Sequence, residues 1–360
     1  MSSNLREKRR PVRAKRVTLA EVARRAGVSQ TAASFVLSGR REEMRISSEV
    51  EARVTRAARE TGYRPNILSR GLRTGATQTI GFVSDTIATT RFAGELIRGA
   101  LEAAREDEHL LFVGETEADP DLQRQLIDAM HDRQVHGIVL ASMYTRKLSV
   151  PKALLAGPAV LLNALPTRPA TIASVVPDEL EAGRTAARVL IKAGHRDRIH
   201  VLGAGPQPNR VPKGGVAAMQ RLQGIRETLA SARLQVAGAT LCSEWEPEAG
   251  FDATRRLLDK HEPDAVICLN DRLALGALQA LTEAGLHVPA DVSMISFDDD
   301  PIASWVKPQL TTIALPHYEL GRKAIEVLLD VAHQVHGDGP QIHRVPMPLR
   351  ERESVRQPQP

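Results

Sequence analysis

Apolar residues recur at helical spacing in two short runs between Thr18 and Leu37. Thr18 can accept a hydrogen bond from the amide of Glu21, whose carboxylate can return one, and this capping box begins a helix. Gly27 permits a left-handed turn, and Ser29 can cap a second helix. The pattern predicts two short helices joined by a tight turn. An ordinary helical hairpin fits it, and so does a helix-turn-helix that presents its second helix to the DNA major groove.

A third helix is predicted to begin at another capping box, Ser48 and Glu51, and to end at Gly62. Its apolar face consists of Val50, Val54, Ala57 and Ala58. The stretch 64–78 then holds a short apolar pattern that contains Gly71. Because a helix shorter than about 12 residues is marginal in water, this stretch is predicted to be helical only when other contacts hold it.

From Thr79 onward, short continuous apolar runs alternate with helical patterns. The runs predicted to be strands are T-I-G-F-V-S, L-L-F-V-G, G-I-V-L-A, P-A-V-L-L-N, R-I-H-V-L-G, A-V-I-C-L-N and V-S-M-I-S-F. Such runs, separated by helices, indicate parallel sheets covered on both faces. The alternation starts afresh at Asp178, which predicts two doubly wound α/β lobes. Ligands of such lobes bind at the carboxyl ends of the strands.

Charge is distributed unevenly along the 360 residues. Residues 1–75 contain 18 Lys and Arg against 7 Asp and Glu, a net charge of +11, whereas the remainder contains 30 against 36, a net charge of −6. A basic N-terminal part on a mildly acidic body is typical of a protein that binds a polyanion through its head. Residues 1–16 alone are interpreted as a solvated basic tail.

Several classes of protein are disfavoured by composition. The two cysteines, Cys242 and Cys268, lie far apart without a neighbouring Cys or His at metal-ligand spacing, which indicates buried thiols in a reducing compartment. No run of 18 apolar residues exists to span a membrane, and charged residues interrupt the only apolar run near the basic N-terminus. We expect a cytoplasmic, nucleoid-associated protein without a metal or another cofactor.

An enzymatic function has little support. The segment G-A-G-P-Q-P lacks the third glycine and the helix start of a dinucleotide site, and no Ser, His and Asp occur in a recognisable nucleophile context. His195 and His200 are interpreted as surface or core imidazoles. Asp299 and Asp300 are interpreted as solvated or loop-capping rather than as metal ligands.

The chain nevertheless resembles the lactose/galactose repressor family of bacterial transcription regulators from about Val17 to Glu353. The motifs that carry the resemblance, through their order and spacing, are T-L-A-E-V-A-R-R-A-G-V-S, Y-R-P-N-I-L-S-R-G-L-R-T-G, T-I-G-F-V, L-N-D-R-L-A-L-G-A-L-Q-A-L, V-S-M-I-S-F-D-D and Q-L-T-T-I. The resemblance implies a helix-turn-helix head, a hinge helix and a two-lobed body of the periplasmic-binding-protein type that dimerises and binds a small effector between its lobes.

The resemblance also implies where the chain divides. The expected parts are a basic tail over 1–16, the helix-turn-helix domain over 17–63, the hinge helix and linker over 64–78, an N-terminal lobe from 79–177 and 310–340, a C-terminal lobe from 178–309 and 341–353, and a tail over 354–360. The chain would thus cross between the lobes near Pro177, Gln309 and Gln341.

At the family's base-reading positions this sequence has Gln30, Thr31 and Phe35. The amide and the hydroxyl can hydrogen-bond to base edges. Many relatives carry Arg at the third position, and a phenyl ring cannot pair with guanine. Phe35 is therefore expected either to touch a thymine methyl group or to pack inward. The loop Gly39–Ile46 is longer than is usual in the family, so phosphate contacts there cannot be transferred.

Contacts to the DNA backbone fix where a protein lies on the duplex but do not specify the base sequence. The residues expected to make them are Thr18, Ser29, Ser34, Arg40, Asn66 and Arg73, with Arg70 beside them. Leu72 matches the family's minor-groove wedge, an apolar side chain that enters between base pairs and kinks the duplex. A contact within the dimer or the linker is the alternative for Leu72.

Polar residues at the strand ends are expected to form one effector site. Asp85, Asn163, Asn270 and Asp298 each follow or end a predicted strand, and carboxylates and amides suit vicinal hydroxyl groups. By the resemblance, Arg221 matches an arginine that clamps effectors and Trp245 matches an aromatic wall for a sugar ring. Asp271 is interpreted as a helix cap and excluded.

The expected partners are a double-stranded DNA operator, a small sugar-like effector and a second copy of the chain. The sequence after Glu353 lacks a heptad pattern for a tetramer, which favours a homodimer. A sugar-binding receptor with the same body would have no use for residues 1–75, and a DNA-bending architectural protein would not need two lobes.

Overall fold

The computed structural model describes residues 17–63, 77–86, 93–168, 172–205, 211, 215–334 and 341–356. These residues belong to two compact units, a head that ends at Thr77 and a body that begins at Gln78. Within the ranges given, no helix is both long enough and apolar enough to cross a bilayer.

The head is built from short helices. These are α1 (Leu19–Ala26), α2 (Gln30–Leu37) and α3 (Ser48–Thr61), with a 3-10 helix (Arg41–Met44) before α3. Their inward faces bury Val22, Ala33 and Val54 completely in one apolar cluster. The predicted three-helix head is confirmed.

The predicted caps of α1 and α2 are also confirmed. The Thr18 hydroxyl accepts a hydrogen bond from the Glu21 amide at 3.3 Å, and the Glu21 carboxylate accepts one from the Thr18 amide at 2.7 Å. Gly27 ends α1 with φ +66°, which a residue with a Cβ rarely adopts. Ser29 Oγ accepts from the Ala32 amide at 3.1 Å and so begins α2.

The predicted capping box of α3 is wrong by one residue. Ser47 has the extended backbone of a cap, and its hydroxyl accepts from the Val50 amide at 3.3 Å. Ser48 is already helical, so Glu51 lies one position beyond the reach of a reciprocal bond. The Glu51 carboxylate instead pairs with Arg41 at 2.6 Å and ties α3 to the 3-10 helix.

The first sheet of the body has six parallel strands in the order β11-β5-β4-β3-β1-β2. The strands are β1 (Thr79–Ser84), β2 (Leu110–Glu115), β3 (Gly137–Leu148), β4 (Ala159–Pro166), β5 (Ala173–Pro177) and β11 (Ile342–Val345). The helices of this lobe are α4 (Ala93–Glu106), α5 (Pro120–Asp132) and α11 (His317–Ala332), together with a 3-10 helix (Lys152–Ala156).

The second sheet has the order β12-β10-β9-β8-β6-β7 and is parallel except for β12. Its strands are β6 (Ile199–Leu202), β7 (Gly238–Thr240), β8 (Ala265–Cys268), β9 (Ser293–Asp298), β10 (Thr311–Ala314) and β12 (Leu349–Arg350). Its helices are α6 (Glu179–Lys192), α7 (Val216–Ser231), α8 (Pro247–Leu258), α9 (Asp271–Glu283) and α10 (Ile302–Trp305). The predicted two-lobed α/β body is confirmed.

Two of the three expected crossings between the lobes lie elsewhere. The chain leaves the first sheet after Pro177, but it returns only after β10, because β10 pairs with β9 of the second sheet. It crosses a third time after β11, because β11 pairs with β5 of the first sheet. The expected crossings near Gln309 and Gln341 are therefore each one short strand too early.

The expected tail also begins too early, because Ser354 is part of the second lobe. Its hydroxyl accepts a hydrogen bond from the Thr311 amide at 2.8 Å and donates one to the Met294 carbonyl at 2.6 Å. Ser354 is fully buried between β9 and β10. The described residues up to Arg356 thus complete the second lobe.

Candidate functional site

The start of α2 presents polar side chains on the surface of the head. Gln30 and Thr31 are exposed in its first turn, next to the capping Ser29, and Ser34 is half-buried one turn later. Because the first turn of such a helix is the part that reaches base edges, the exposure suits the predicted base contacts of Gln30 and Thr31.

Phe35 is half-buried and does not belong to the apolar cluster of the head, within the residues described there. The Arg40 guanidinium lies over its ring at 5.3 Å from the centroid. The guanidinium thus lies beside the last turn of α2. Thr18 is exposed, but its hydroxyl donates to Glu21 at 3.0 Å, so a phosphate would have to compete with the capping box.

The remaining head residues expected at DNA lie outside the described residues. These are Asn66, Arg70, Leu72 and Arg73. Their roles, and the hinge helix over 64–78, stay predictions.

A cavity of about 320 Å³ lies between the two lobes of the body. Strand ends and the chain after β10 supply its lining, which includes Tyr144, Thr145, Asn163, Glu179, Arg221, Trp245, Glu246, Asn270, Asp271, Arg272, Asp298, Asp300 and His317. Its volume lies within the range of small-molecule sites. Five of the six residues expected to bind effector therefore meet at one cavity.

Asp85 is the sixth residue, and it is not among the residues that line the cavity. Its carboxylate accepts hydrogen bonds from the amides of Thr86 and Met143 at 2.7 and 2.9 Å, and it pairs with Arg146 at 2.9 Å. Asp85 therefore fastens the end of β1 to β3. The structure therefore does not bring Asp85 to the cavity lining with the other five residues.

Arg221 lies at the floor of the cavity with only 2% of its surface exposed. Its guanidinium donates to Glu179 at 2.6 and 3.2 Å, to Asp298 at 3.1 Å and to the Leu269 carbonyl, and it lies over the Phe297 ring. Burial opposes its charge, but the carboxylates of Glu179 and Asp298 outweigh burial and hold the pKa of Arg221 above its ordinary value.

Close packing of α6 against α7 sets the distance between Glu179 and Arg221. A Cβ on Gly183 of α6 would lie 2.1 Å from the Arg221 carbonyl oxygen, and one on Gly224 of α7 would lie 2.1 Å from the Leu180 carbonyl oxygen. Only glycine allows the two backbones to approach this closely. The approach brings the first turn of α6 to the guanidinium.

Asn270, not Asp271, caps α9, which corrects the interpretation from the sequence. Asn270 Oδ1 accepts from the Leu273 amide at 2.8 Å, and its Nδ2 donates to the Trp245 carbonyl at 3.1 Å. Trp245 Nε1 in turn donates to the Gly203 carbonyl at 3.2 Å. Asn270 thereby fixes the loop that places the Trp245 ring at the cavity.

Asp271 is a buried carboxyl group. It accepts hydrogen bonds from the hydroxyl groups of Ser296 and Thr312 and from the Asp300 amide. Burial, followed by the charge of Asp298, raises the pKa of Asp271 to about 7. The group joins α9 to β9 and β10 beneath the cavity.

Asn163 is held on the side of the first lobe. Its backbone has φ +56°, which asparagine tolerates better than most residues. Its Oδ1 accepts from the Thr145 hydroxyl at 2.6 Å, and its Nδ2 donates to the Ser142 carbonyl at 3.1 Å. These bonds fix the direction of the amide at the cavity wall.

Several lining residues were missed by sequence reasoning, above all Glu179. Glu179 follows β5, a strand that the apolar pattern did not reveal, so its place after a strand end could not be recognised. Burial raises the pKa of Glu179, but the Arg221 guanidinium opposes that rise. Asp300 accepts a hydrogen bond from the Ile302 amide at 3.1 Å in the loop before α10, which agrees with a loop-capping role, yet it is buried and also lines the cavity.

His195 and His200 lie away from the cavity lining, and both are buried, which agrees with core imidazoles. Asp299 is not simply solvated, because it pairs with Arg352 at 2.6 Å. Within the described ranges, no group of three or more His, Cys, Asp or Glu side chains could hold a metal ion.

Known proteins resemble this chain over nearly its whole length. A family model described as "Bacterial regulatory proteins, lacI family" matches residues 18–66, and one described as "Periplasmic binding protein-like domain" matches residues 187–355. The ribose operon repressor of Escherichia coli (strain K12) is 32% identical over 324 residues, which cover 87% of this chain and 92% of that protein. The HTH-type transcriptional repressor PurR of Haemophilus influenzae (strain PittEE) is 31% identical over 326 residues, 89% of this chain and 93% of that protein.

Solved structures of transcription regulators also resemble this chain. A lac repressor dimer bound to operator and the anti-inducer ONPF aligns with a TM-score of 0.77 at 26% identity, covering 95% of this chain and all of that chain. A complex of the transcriptional regulator CelR with cellobiose aligns with a TM-score of 0.64 at 27% identity, covering 94% of this chain and all of that chain. The helix-turn-helix, the two-lobed body and these similarities lead to one conclusion: the chain belongs to the lacI family of bacterial regulatory proteins.

Proposed function

We propose that this regulator is a transcriptional repressor that binds a palindromic operator as a homodimer and responds to a small polar effector, a sugar or sugar derivative, in the interlobe cavity. The observation that carries the proposal is the presence, in one chain, of an exposed recognition-helix surface at Gln30 and Thr31 and a polar cavity with an aromatic wall at Trp245. A sugar receptor would need only the cavity, and an architectural protein only the head.

The names of the relatives support a sugar as the effector. One relative is the ribose operon repressor, and one structural neighbour is a complex with cellobiose. In the cavity of this chain, carboxylate and amide groups can accept and donate hydrogen bonds to hydroxyl groups, while the Trp245 ring can stack on an apolar sugar face. Effector binding would shift the population of DNA-competent dimers.

The edge of the first sheet supports the proposed dimer. The edge strand β2 exposes Leu110, Phe112 and Val113, with exposed fractions of 58%, 46% and 42%, and Leu101 of α4 is exposed nearby. Exposed apolar groups on an edge strand are a liability unless another surface covers them. One structural neighbour is a lac repressor dimer, and a second copy of this chain would cover this edge.

The test combines DNA selection with ligand screening on the full-length protein. From a random DNA pool, we expect the protein to select a palindromic site, and a non-palindromic site would contradict the dimer proposal. A sugar present at 100 times its Kd should stabilise the body by about 2.7 kcal/mol and raise its Tm. Arg221→Ala should abolish the Tm shift and leave DNA binding intact; an unaltered shift would exclude Arg221 from the effector site.

A further inference from the structure

The guanidinium of Arg221 has little capacity left for a ligand. An arginine side chain offers five N–H donors. Nε and one Nη2 hydrogen point at Glu179, the other Nη2 hydrogen points at Asp298, and Nη1 donates to the Leu269 carbonyl. Four of the five donors are thus used within the protein. A ligand anion that sought a paired contact with this guanidinium would have to replace a carboxylate.

Glu179 is the carboxylate that makes such replacement unfavourable. It is 1% exposed in the first turn of α6, and the close α6–α7 approach at Gly183 holds it against the guanidinium at the cavity floor. A phosphate or carboxylate of a ligand would bring a second negative charge to the same guanidinium. Displaced Glu179 would then remain buried without a counter-ion, which proteins tolerate poorly.

The charges of the other lining residues also disfavour an anionic ligand. Besides Glu179 and Asp298, the lining contains the carboxyl groups of Glu246, Asp271 and Asp300, against only one further guanidinium, Arg272. Arg272 pairs with Glu246 at 2.6 Å and lies 4.0 Å from Asp300. Burial lowers the pKa of His317, which disfavours a positive charge on its imidazole. Among the described lining residues, carboxyl groups therefore outnumber guanidinium groups, and both guanidinium groups already have carboxylate partners.

We propose that the interlobe cavity selects a polyhydroxy effector without an anionic group, a free sugar rather than a sugar phosphate or a sugar acid, and that Glu179 sets this selectivity by occupying Arg221. The inference rests on the proposed effector site and adds its charge class. Hydroxyl groups donate to the carboxylates that repel an anion. Glu179 is a specificity-determining residue that acts through the guanidinium.

The first test uses inorganic phosphate as the probe and does not require the natural effector. The Tm of the full-length protein is measured in phosphate and in chloride at equal pH and ionic strength. The wild type should show only the general, non-saturating rise in Tm that phosphate gives by exclusion from protein surfaces. Glu179→Gln keeps the shape of the side chain but frees the guanidinium, so this variant should gain a phosphate-specific rise. Glu179→Asp, which keeps the charge, is the matched control and should behave like the wild type.

The second test compares matched ligands on the wild type and on Glu179→Gln. The pairs are D-ribose with D-ribose 5-phosphate, D-glucose with D-glucose 6-phosphate, and D-galactose with D-galactose 6-phosphate, each followed by calorimetry. In a pair that binds, the wild type should favour the free sugar by at least about tenfold, because like charges at one site repel. The ratio of the two Kd values should fall by a similar factor in Glu179→Gln. The wild-type ratio remains decisive even if the variant does not fold.

The outcomes separate this inference from the proposed function. A wild-type protein that binds the phosphorylated member more tightly, with the binding lost in Arg221→Ala, would overturn the charge selectivity while the cavity remained an effector site. Unchanged phosphate response and ligand ratio in a folded Glu179→Gln protein would overturn the role of Glu179. Binding of a free sugar that is insensitive both to Arg221→Ala and to Trp245→Ala, at the cavity wall, would instead place the effector outside this cavity and overturn both proposals.

Discussion

Asp271 joins three structural elements of the second lobe through a single carboxyl group. Its partners, the Ser296 hydroxyl, the Thr312 hydroxyl and the Asp300 amide, can all donate, and this favours the carboxylate form. Burial and the nearby Asp298 favour the protonated form and prevail, since they raise the pKa of Asp271 to about 7. The protonation state of this residue therefore changes in the physiological range.

We predict that Asp271 makes the body less stable as the pH rises. Its pKa is higher in the folded chain than in the unfolded one, so the stabilisation is fully present below the unfolded value and is lost as the pH rises through about 7. Between pH 5 and 8 the loss should be on the order of 2 kcal/mol. Urea unfolding of the wild type and Asp271→Asn at both pH values measures the difference. If the free energy of unfolding depended equally on pH in the two proteins, the raised pKa of Asp271 would be contradicted.

His200 should have the opposite effect and make the body less stable as the pH falls. Burial, followed by the charge of His261, lowers the pKa of His200 to about 4. Because the unfolded imidazole binds its proton at about pH 6.5, the unfolded state gains protons first, and stability is lost as the pH falls from about 6.5 towards 4. The loss should be about 3 kcal/mol at most. His200→Gln should remove this acid sensitivity in urea unfolding.

At the scale of secondary-structure elements, the α6–α7 pair determines the geometry of the cavity floor. Glu179 and Arg221 stand on different helices, and their contact depends on a backbone separation that only glycine permits at Gly183 and Gly224. The cap of α9 has a comparable effect, because Asn270 connects the helix start to the loop of Trp245.

We predict that Gly183→Ala separates α6 from α7. The new methyl group would lie 2.1 Å from the Arg221 carbonyl oxygen, so the helices must move apart, at a cost of about 1–3 kcal/mol. Gly94→Ala is the matched control, because Gly94 is also helical and has open space around it; it should be neutral or stabilising by up to about 1 kcal/mol. Chemical denaturation compares the two. Equal stability of both variants would contradict the close approach.

At the scale of the whole molecule, the edge strand β2 is an apolar surface that an isolated body leaves exposed to solvent. The side chains of Leu110, Phe112 and Val113 lie on the edge strand of the first sheet. A charged group within a buried apolar interface is strongly destabilising unless it is paired.

We therefore predict that Phe112→Glu converts the proposed dimer into a monomer and weakens operator binding, because each monomer then supplies only one head. Sedimentation velocity and circular dichroism measure the association and the fold separately. Leu241→Glu, at an apolar residue of similar exposure in the second lobe, should stay dimeric. A Phe112→Glu dimer of undiminished stability would place the dimer contact on another surface.

Local patterns in the sequence were sufficient for much of this protein. The Thr18 and Ser29 caps, the Gly27 turn and the alternation of apolar strands with helices are decided within a few residues. They therefore gave the helix-turn-helix, the two lobes and most of the strand-end residues that line the cavity. Where a pattern was short, as at Ser47 and Ser48, the predicted N-cap of α3 was wrong by one residue.

Only the tertiary structure decided which sheet each late strand joins and how the cavity residues are partnered. Four-residue strands such as β10 and β11 are too short for their sequence to indicate which sheet they join. Their pairing depends on strands more than ten residues away. Glu179 meets Arg221 across 42 residues, and Asp85 turns to backbone amides although it follows a strand just as Asn270 does. Such partnerships follow from packing and from the need to satisfy buried charges, and neither is expressed in local sequence spacing.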